Sequence, residues 1–154
     1  MARFPALSPA DLASSAALSR SRTVAYWATT ALVAAEMVLG GVWDVLRTPQ
    51  VTAVTDRLGY PSYFLVILGV WKLLGAVALL APRRPRLKEW AYAGAVFNYT
   101  GAFASNLAAG EADPGTLVFL IALTGLTVAS WALRPPARRD LAPSRAGLWA
   151  GPSR

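Results

Sequence analysis

Four apolar stretches dominate the sequence, and their length limits the folds open to it more than any other feature. They are Val24–Leu46, Pro61–Ala81, Glu89–Ala108 and Pro114–Leu133. A helix needs about 20 apolar residues to cross a bilayer, whereas a buried helix of a soluble protein seldom holds more than about 14. No segment alternates apolar and polar residues with the period of a strand. The sequence therefore predicts an all-α protein, a bundle of four transmembrane helices.

The first connection between these stretches has the pattern of a short helix. Thr48 and Pro49 are residue types that open helices, as the N-cap and the first helical residue. Apolar residues then recur at helical spacing as far as Leu58. Gly59 follows, and glycine commonly ends helices. We expect a short helix at the outer membrane interface.

The basic residues are distributed unevenly along the 154-residue chain. It has 15 Lys and Arg against 8 Asp and Glu. All the basic residues except Arg47, Arg57 and Lys72 precede the first stretch, lie between the second and third, or follow the fourth. The positive-inside rule then places both termini in the cytoplasm, as expected for a multi-pass protein of a bacterial inner membrane. Residues 1–23 are expected to form a partly disordered cytoplasmic segment, and residues 134–154 a basic, disordered cytoplasmic tail.

The distribution of the basic residues also indicates which kind of partner their positive charge attracts. The basic residues flank membrane spans and lack an interleaved aromatic surface, so they do not indicate a nucleic-acid site. The expected partner is the lipid bilayer with its anionic headgroups.

The chain contains no cysteine and no histidine. Their absence excludes disulfides, thiol nucleophiles and cysteine-bound iron–sulfur clusters, together with the commonest general base and haem ligand. We therefore expect no metal site and no covalently bound cofactor. The chemistry that remains belongs to carboxylates, one mid-span lysine and amides.

Each predicted span carries one polar side chain at nearly the same depth. At a rise of about 1.5 Å per residue, Glu36 lies roughly 18 Å from the inner end, and Lys72, Asn98 and Thr124 lie roughly 14 Å from it. Two interpretations stay open. Glu36 and Lys72 form a buried ion pair that fixes the helix register, or they line a cavity that binds or protonates a lipophilic ligand.

Glycines and tryptophans accompany these polar residues. The glycines, Gly94 and Gly101 beside Asn98 among them, indicate that the polar faces point into the bundle. Trp43 shares a helix face with Glu36, and Trp71 precedes Lys72. The candidate ligand-binding residues are therefore Glu36, Trp43, Trp71, Lys72, Asn98, Asn106 and Thr124.

A second set of polar residues lies near the outer end. By the same rise, Asp44 lies about 30 Å and Asn106 about 26 Å from the inner end, and Glu111 and Asp113 follow in a loop. We interpret them as solvated helix ends, with Asp44 paired on the surface to Arg47 three residues later. The alternative is a carboxylate cluster for a hard cation.

Several motifs in the central part of the chain are those of a known family. They are LGYP over 58–61, GVWKLLG over 69–75, LLAP over 79–82, RLKEWAYAG over 86–94, GA over 101–102, and Ser105. Over roughly Tyr26 to Leu133 the sequence resembles the DoxX-like family of small bacterial membrane proteins. The resemblance implies four transmembrane helices. It also implies a link to membrane redox proteins, since the family is named after the small subunit of a thiosulfate:quinone oxidoreductase.

The sequence departs from the family pattern at the outer end of the third stretch. Relatives commonly have Ser-His where this chain has Ser105-Asn106, and they often carry an acidic residue at the position of Asn98. A proton-transfer or metal-ligand role of that histidine cannot be carried over to Asn106, because an amide forms hydrogen bonds but does not titrate.

Three functions are compatible with these features. The first is an accessory module that binds a quinone-like lipophilic molecule or a membrane redox subunit. The second is a cofactor-independent intramembrane enzyme in which Glu36 or Asp44 acts as general acid or base on a hydrophobic substrate. The third is a scaffold or transporter subunit without ligand chemistry, with a homo-oligomer as a possible assembly.

Overall fold

The computed structural model describes residues 8–111 and 113–135, and this part of the chain contains five helices and no strand. The helices are α1 (Pro9–Leu46), α2 (Pro49–Arg57), α3 (Tyr63–Leu80), α4 (Pro85–Ala108) and α5 (Pro114–Leu133). Three of them, α1, α3 and α5, are long and apolar enough to cross a membrane. The prediction of an all-α membrane protein is confirmed.

Helix α1 is longer than the stretch that predicted it. It begins at Pro9 and passes through Val24 without a break. The reason is local, because the chain from Ala10 to Leu39 contains neither glycine nor proline and is rich in alanine, the strongest helix former. Residues 9–23 are therefore helical. The disorder expected for the first residues, and for the tail after Pro135, concerns positions outside the described residues.

The predicted short helix in the first connection is present as α2. Thr48 is its N-cap, and Pro49 occupies the first turn. After Arg57 the chain reverses at Gly59, whose φ of +75° lies in the left-handed region that favours glycine. The turn is closed by a hydrogen bond from the backbone N–H of Tyr60 to the carbonyl of Thr55, 2.9 Å. The LGYP motif over 58–61 therefore forms the turn that follows α2.

The third predicted stretch begins four residues earlier than expected. Helix α4 starts at Pro85 rather than at Glu89, because proline suits the first turn of a helix. With 24 residues it is about 36 Å long. Polar residues throughout the helix lower its hydropathy, and α4 is not among the three candidate spans.

The four long helices form a ring. Helix α1 packs against α3 and α5, and α4 packs against the same two helices, so α1 and α4 face each other across the interior. Helix α2 lies beside α3. The buried core contains side chains from all four: Val33, Met37, Ala76, Leu79, Tyr92, Tyr99, Leu120 and Leu123.

Candidate functional site

A cluster of charged side chains joins α1 to α3 in the middle of the bundle. Lys72 lies halfway along α3, between two carboxylates that are two turns apart on α1. Its Nζ is 3.0 Å from Oδ2 of Asp44 and 3.9 Å from Oε1 of Glu36. The predicted ion pair between Glu36 and Lys72 is present, and Asp44 is the nearer partner of the ammonium group. We call these three residues the charged cluster.

Three glycines let α1 and α3 come this close. A Cβ added to Gly69 would lie 2.6 Å from the backbone oxygen of Gly41, so the two backbones are in contact. A Cβ added to Gly40 would lie 3.1 Å from Nζ of Lys72. The ammonium group thus occupies the space that a side chain at Gly40 would take. Small residues that permit close approach are typical of helix interfaces in membranes.

The prediction for Asp44 was wrong. Helical rise placed it in an outer layer and paired it with Arg47, whereas the structure buries it at 4% exposure against Lys72. Helical rise follows only the backbone, along which Asp44 lies about 12 Å beyond Glu36. A lysine side chain is long, and with Gly40 between the two carboxylates its ammonium group reaches both.

Helix α4 adds a hydroxyl group to the charged cluster. The Tyr99 hydroxyl donates a hydrogen bond to Oε2 of Glu36, across the interior of the ring. Tyr99 is 2% exposed. It was not among the residues predicted from the sequence, which included the neighbouring Asn98 instead. The spacing of Tyr92, Ala95 and Tyr99, all buried, is the pattern that marks the inner face of α4.

The expected inner face of α4 was accordingly wrong. A Cβ added to Gly94 or to Gly101 would meet nothing within 4 Å, so both glycines lie on the open side of the helix. Asn98 is half-buried, and no hydrogen bond of its side chain is seen within the described residues. Thr124 is half-buried too, and its hydroxyl donates to the carbonyl of Leu120 in its own helix.

The two candidate tryptophans lie on the outside of the bundle. Trp43 is 53% exposed and Trp71 is 68% exposed. Each is next in sequence to a member of the charged cluster, but adjacent residues of a helix point about 100° apart. In a membrane these rings face lipid or a partner and are directed away from the Lys72 ammonium group.

Asn106 belongs to a separate cavity of about 220 Å³ near the end of the bundle that carries α2. The amide of Asn106 is buried and donates to the carbonyl of Ala102, 2.9 Å. Arg57 and Glu111 line the same cavity as an ion pair with a separation of 3.7 Å. Within the described ranges no three acidic side chains gather closely enough to hold a metal ion.

Asp113 caps α5 at this end of the bundle. Its carboxylate accepts the backbone N–H of Thr116 at 2.7 Å. This hydrogen bond favours the ionised carboxyl and lowers the pKa of Asp113 below its usual value. The start of α5 agrees with the sequence prediction, since an Asp-Pro pair is a strong helix opening.

We expect Asp113→Ala to lower the stability of the protein at neutral pH, and this deficit to shrink in acid. In the unfolded protein the carboxyl group of Asp113 titrates at about pH 4. The stabilising contribution of the cap is complete above that value and is lost as the pH falls through the lower pKa of the folded protein. Thermal unfolding of both proteins in detergent, from about pH 7 to about pH 3, measures the effect. A deficit that stays constant over this range would contradict it.

A second polar network lies at the opposite end of the bundle. Glu89 accepts a hydrogen bond from Nε1 of Trp131 (2.8 Å) and pairs with Nη2 of Arg134 (2.5 Å). Arg134 is 3% exposed. Lys88 is buried and donates to the carbonyl of Leu79, at the end of α3. The sequence predicted only that these basic residues flank the spans. Glu89, the acidic residue among them, was the indication in the sequence that a polar network lies here.

The comparisons with known proteins agree with the motifs. The family model described as the DoxX-like family matches residues 28–130, about two thirds of the chain. The matched range contains the charged cluster and Tyr99. No curated protein and no solved structure matches significantly.

Proposed function

Because the chain belongs to the DoxX-like family, we propose that it is a bacterial inner-membrane protein with four membrane crossings and cytoplasmic termini. The support for a crossing by α4 is its length of about 36 Å, against a hydrocarbon core of about 30 Å. Its polar residues Tyr99 and Asn106 are turned inward, away from lipid. The support for the orientation is that Arg22 reaches Ala132, so the basic residues in the first half of α1 lie at the same end of the bundle as Arg134 after α5.

We further propose that the charged cluster binds the polar head of a lipophilic, quinone-like molecule. The observation that carries this proposal is a group of ionisable side chains in mid-bundle that is not fully closed. Asp44 is 5% exposed at its side chain, but Lys72 is 14% and Glu36 is 20% exposed. The open part of the cluster therefore contains an ammonium donor and a carboxylate. The ammonium group can donate a hydrogen bond to a quinone carbonyl, and the carboxylate can accept one from a quinol hydroxyl. The tail of the ligand would lie among apolar helices.

The charges of the cluster support a proton-linked role. Two carboxylates share one ammonium group, so with every group ionised the cluster carries one net negative charge. An uncompensated charge at this depth is costly, and a single proton brings the cluster to neutrality. Glu36 is the carboxylate farther from Lys72 and the more open one. It is the group that would exchange a proton with a bound ligand.

This arrangement fits an accessory role better than a complete redox enzyme. Carboxylates, lysine and tyrosine can bind and protonate a quinone. In this proposal a membrane redox subunit supplies the electrons, in contact with the outward-facing tryptophans Trp43 and Trp71.

We expect Glu36→Gln to weaken the binding of a short-chain ubiquinol, the reduced quinone, about tenfold, because a quinol hydroxyl loses the charged carboxylate that accepts its hydrogen bond. The affinity is measured by quenching of tryptophan fluorescence in the purified full-length protein in detergent. Glu111→Gln is the matched control, since it makes the same change in the cavity near α2, away from the charged cluster. Equal affinity of wild type and Glu36→Gln would exclude the charged cluster as the quinone site.

The bond between Tyr99 and Glu36 favours one alternative function, an intramembrane acid–base enzyme. A hydroxyl and a carboxyl in contact can hold and return a proton to an apolar substrate without a metal or cofactor. Turnover of a hydrophobic substrate that stops in both Tyr99→Phe and Glu36→Gln would distinguish this function from binding alone.

A further inference from the structure

A second cavity lies between α4 and α5, apart from the charged cluster. It has a volume of about 310 Å³ and is mostly apolar. Its lining residues are Glu89, Tyr92, Ala93, Val96 and Phe97 of α4, and Thr127, Val128 and Trp131 of α5. The residues of α4 lie along one helix face from Glu89 to Phe97, eight residues apart, a length of about 12 Å. We call this cavity the α4–α5 groove.

The groove is open on the outside of the bundle. Phe97 is 75% exposed and Val128 is 48% exposed. A helix is about 10 Å wide, and a groove of this volume and length is far too narrow to accept one. Its shape suits a single hydrocarbon chain.

Charged groups lie at one end of the groove. Glu89 lines this end, and Arg134, which is not itself a lining residue, packs behind it with its guanidinium carbon 5.2 Å from the ring of Tyr92 and 5.7 Å from that of Trp131. Its Nη2 pairs with Glu89, but its Nη1 is buried without a hydrogen-bond partner. A buried donor without an acceptor is costly, and a phosphate oxygen that reached it would supply the missing acceptor. Both oxygens of Glu89 are already engaged, so its charge is compensated locally.

Further positive charge surrounds this end. Arg86 lies three residues before Glu89, one turn back on the same side of α4, and it is exposed. Arg83 and Arg84 are exposed in the connection from α3. A basic site between helices, at the end of the bundle where basic residues gather, matches the way membrane proteins bind anionic lipid headgroups.

We propose that the α4–α5 groove binds an anionic phospholipid, with one acyl chain along Ala93 and Phe97 and the phosphate near Arg86 and Arg134. The apolar lining accounts for the chain. The unpartnered Nη1 of Arg134 and the exposed Arg86 account for the phosphate and its charge. This site is distinct from the charged cluster, which lies on α1 and α3.

The purified full-length protein in mild detergent tests the proposal by native mass spectrometry. The probes are phosphatidylglycerol and phosphatidylcholine with identical acyl chains. We expect the protein to retain about fivefold more phosphatidylglycerol, the effect of one basic residue near a headgroup. Ala93→Phe, which fills the groove, is expected to reduce retention of both lipids. Arg86→Gln is expected to remove the preference while leaving phosphatidylcholine unchanged.

Ala104→Phe is the matched control, because Ala104 is exposed on the same helix and does not line the groove. It should retain lipid as the wild type does. Equal retention of the two lipids by the wild type would overturn the proposal. Identical lipid retention by the Ala93→Phe and Ala104→Phe proteins would also overturn it. The same holds if the Ala93→Phe protein changes its oligomeric state but keeps its lipid. Arg86 is exposed, so the Arg86→Gln arm does not depend on whether Ala93→Phe folds.

Discussion

Replacing Lys72 with methionine is expected to lower the free energy of unfolding by about 3–5 kcal/mol, the loss typical when one partner of a buried ion pair is removed. The substitution keeps an unbranched side chain that is one atom shorter, but leaves Asp44 and Glu36 without their shared ammonium group. Asp44 suffers most, because its side chain is only 5% exposed and Lys72 is 3.0 Å away. Equilibrium unfolding in mixed micelles of detergent and denaturant measures the loss.

Two further variants distinguish the effect of losing the ion pair from the effect of changing the side-chain packing. Trp71→Leu changes the neighbouring exposed residue and is expected to shift stability by no more than about 0.5 kcal/mol. The double variant Lys72→Met/Asp44→Leu removes the nearer pair as a whole, and it should recover much of the loss because an apolar pair can replace a buried ion pair. If Lys72→Met proves as stable as Trp71→Leu, the charged cluster does not hold α1 and α3 together.

Gly69→Ala is expected to cost about 1–3 kcal/mol, as overpacking of a close interface does. A methyl group there would lie 2.6 Å from the backbone oxygen of Gly41 and 2.9 Å from Cβ of Asp44. Neither atom is the end of a flexible side chain, so the two helices have to separate. Thermal unfolding of the variant in detergent, followed by loss of helical circular dichroism, measures the cost.

The other glycines of the bundle provide the control. Gly94→Ala introduces the same methyl group where nothing lies within 4 Å, and it should be neutral or gain up to about 1 kcal/mol from helix propensity. Gly75→Ala meets only the terminal methyl of Met37, which can move, so its cost should fall between the two. Equal stability of the Gly69 and Gly94 variants would show that the backbones are not in close contact.

The parts of the fold predictable from sequence were those set by local chemistry. Helix α5 has the predicted bounds, because Asp113 and Pro114 open it and Pro135 and Pro136 follow its end. The short α2 was predictable for the same kind of reason, with Thr48 and Pro49 before it and Gly59 after it. The ion pair between Glu36 and Lys72 was predictable because a charge at mid-membrane depth needs a partner.

The rest of the site could not be predicted in this way, because the rise along one helix gives no distances between side chains of different helices. From their depths along the helices, Asp44 was predicted to lie far from Lys72. In the structure they form an ion pair, because the lysine side chain is long and because Gly41 and Gly69 let the two helices come into contact. Tyr99 was missed because the inner face of α4 was assigned from its glycines. That face instead carries tyrosines, which fill the interior, while Gly94 and Gly101 lie on the open side.

The placement of opposite charges on α1 and α3 also bears on how the protein enters its membrane. Each charged residue at the centre of a helix adds about 2.5–3.5 kcal/mol to the free energy of insertion. Residues 24–46 of α1 carry two carboxylates, and the ammonium group that neutralises one of them comes from α3. A ribosome adds about 5–20 residues per second, so α3 emerges a few seconds after α1 is complete. During that interval α1 is best held at the insertion machinery, until the ammonium group of α3 can compensate one of its two carboxylates.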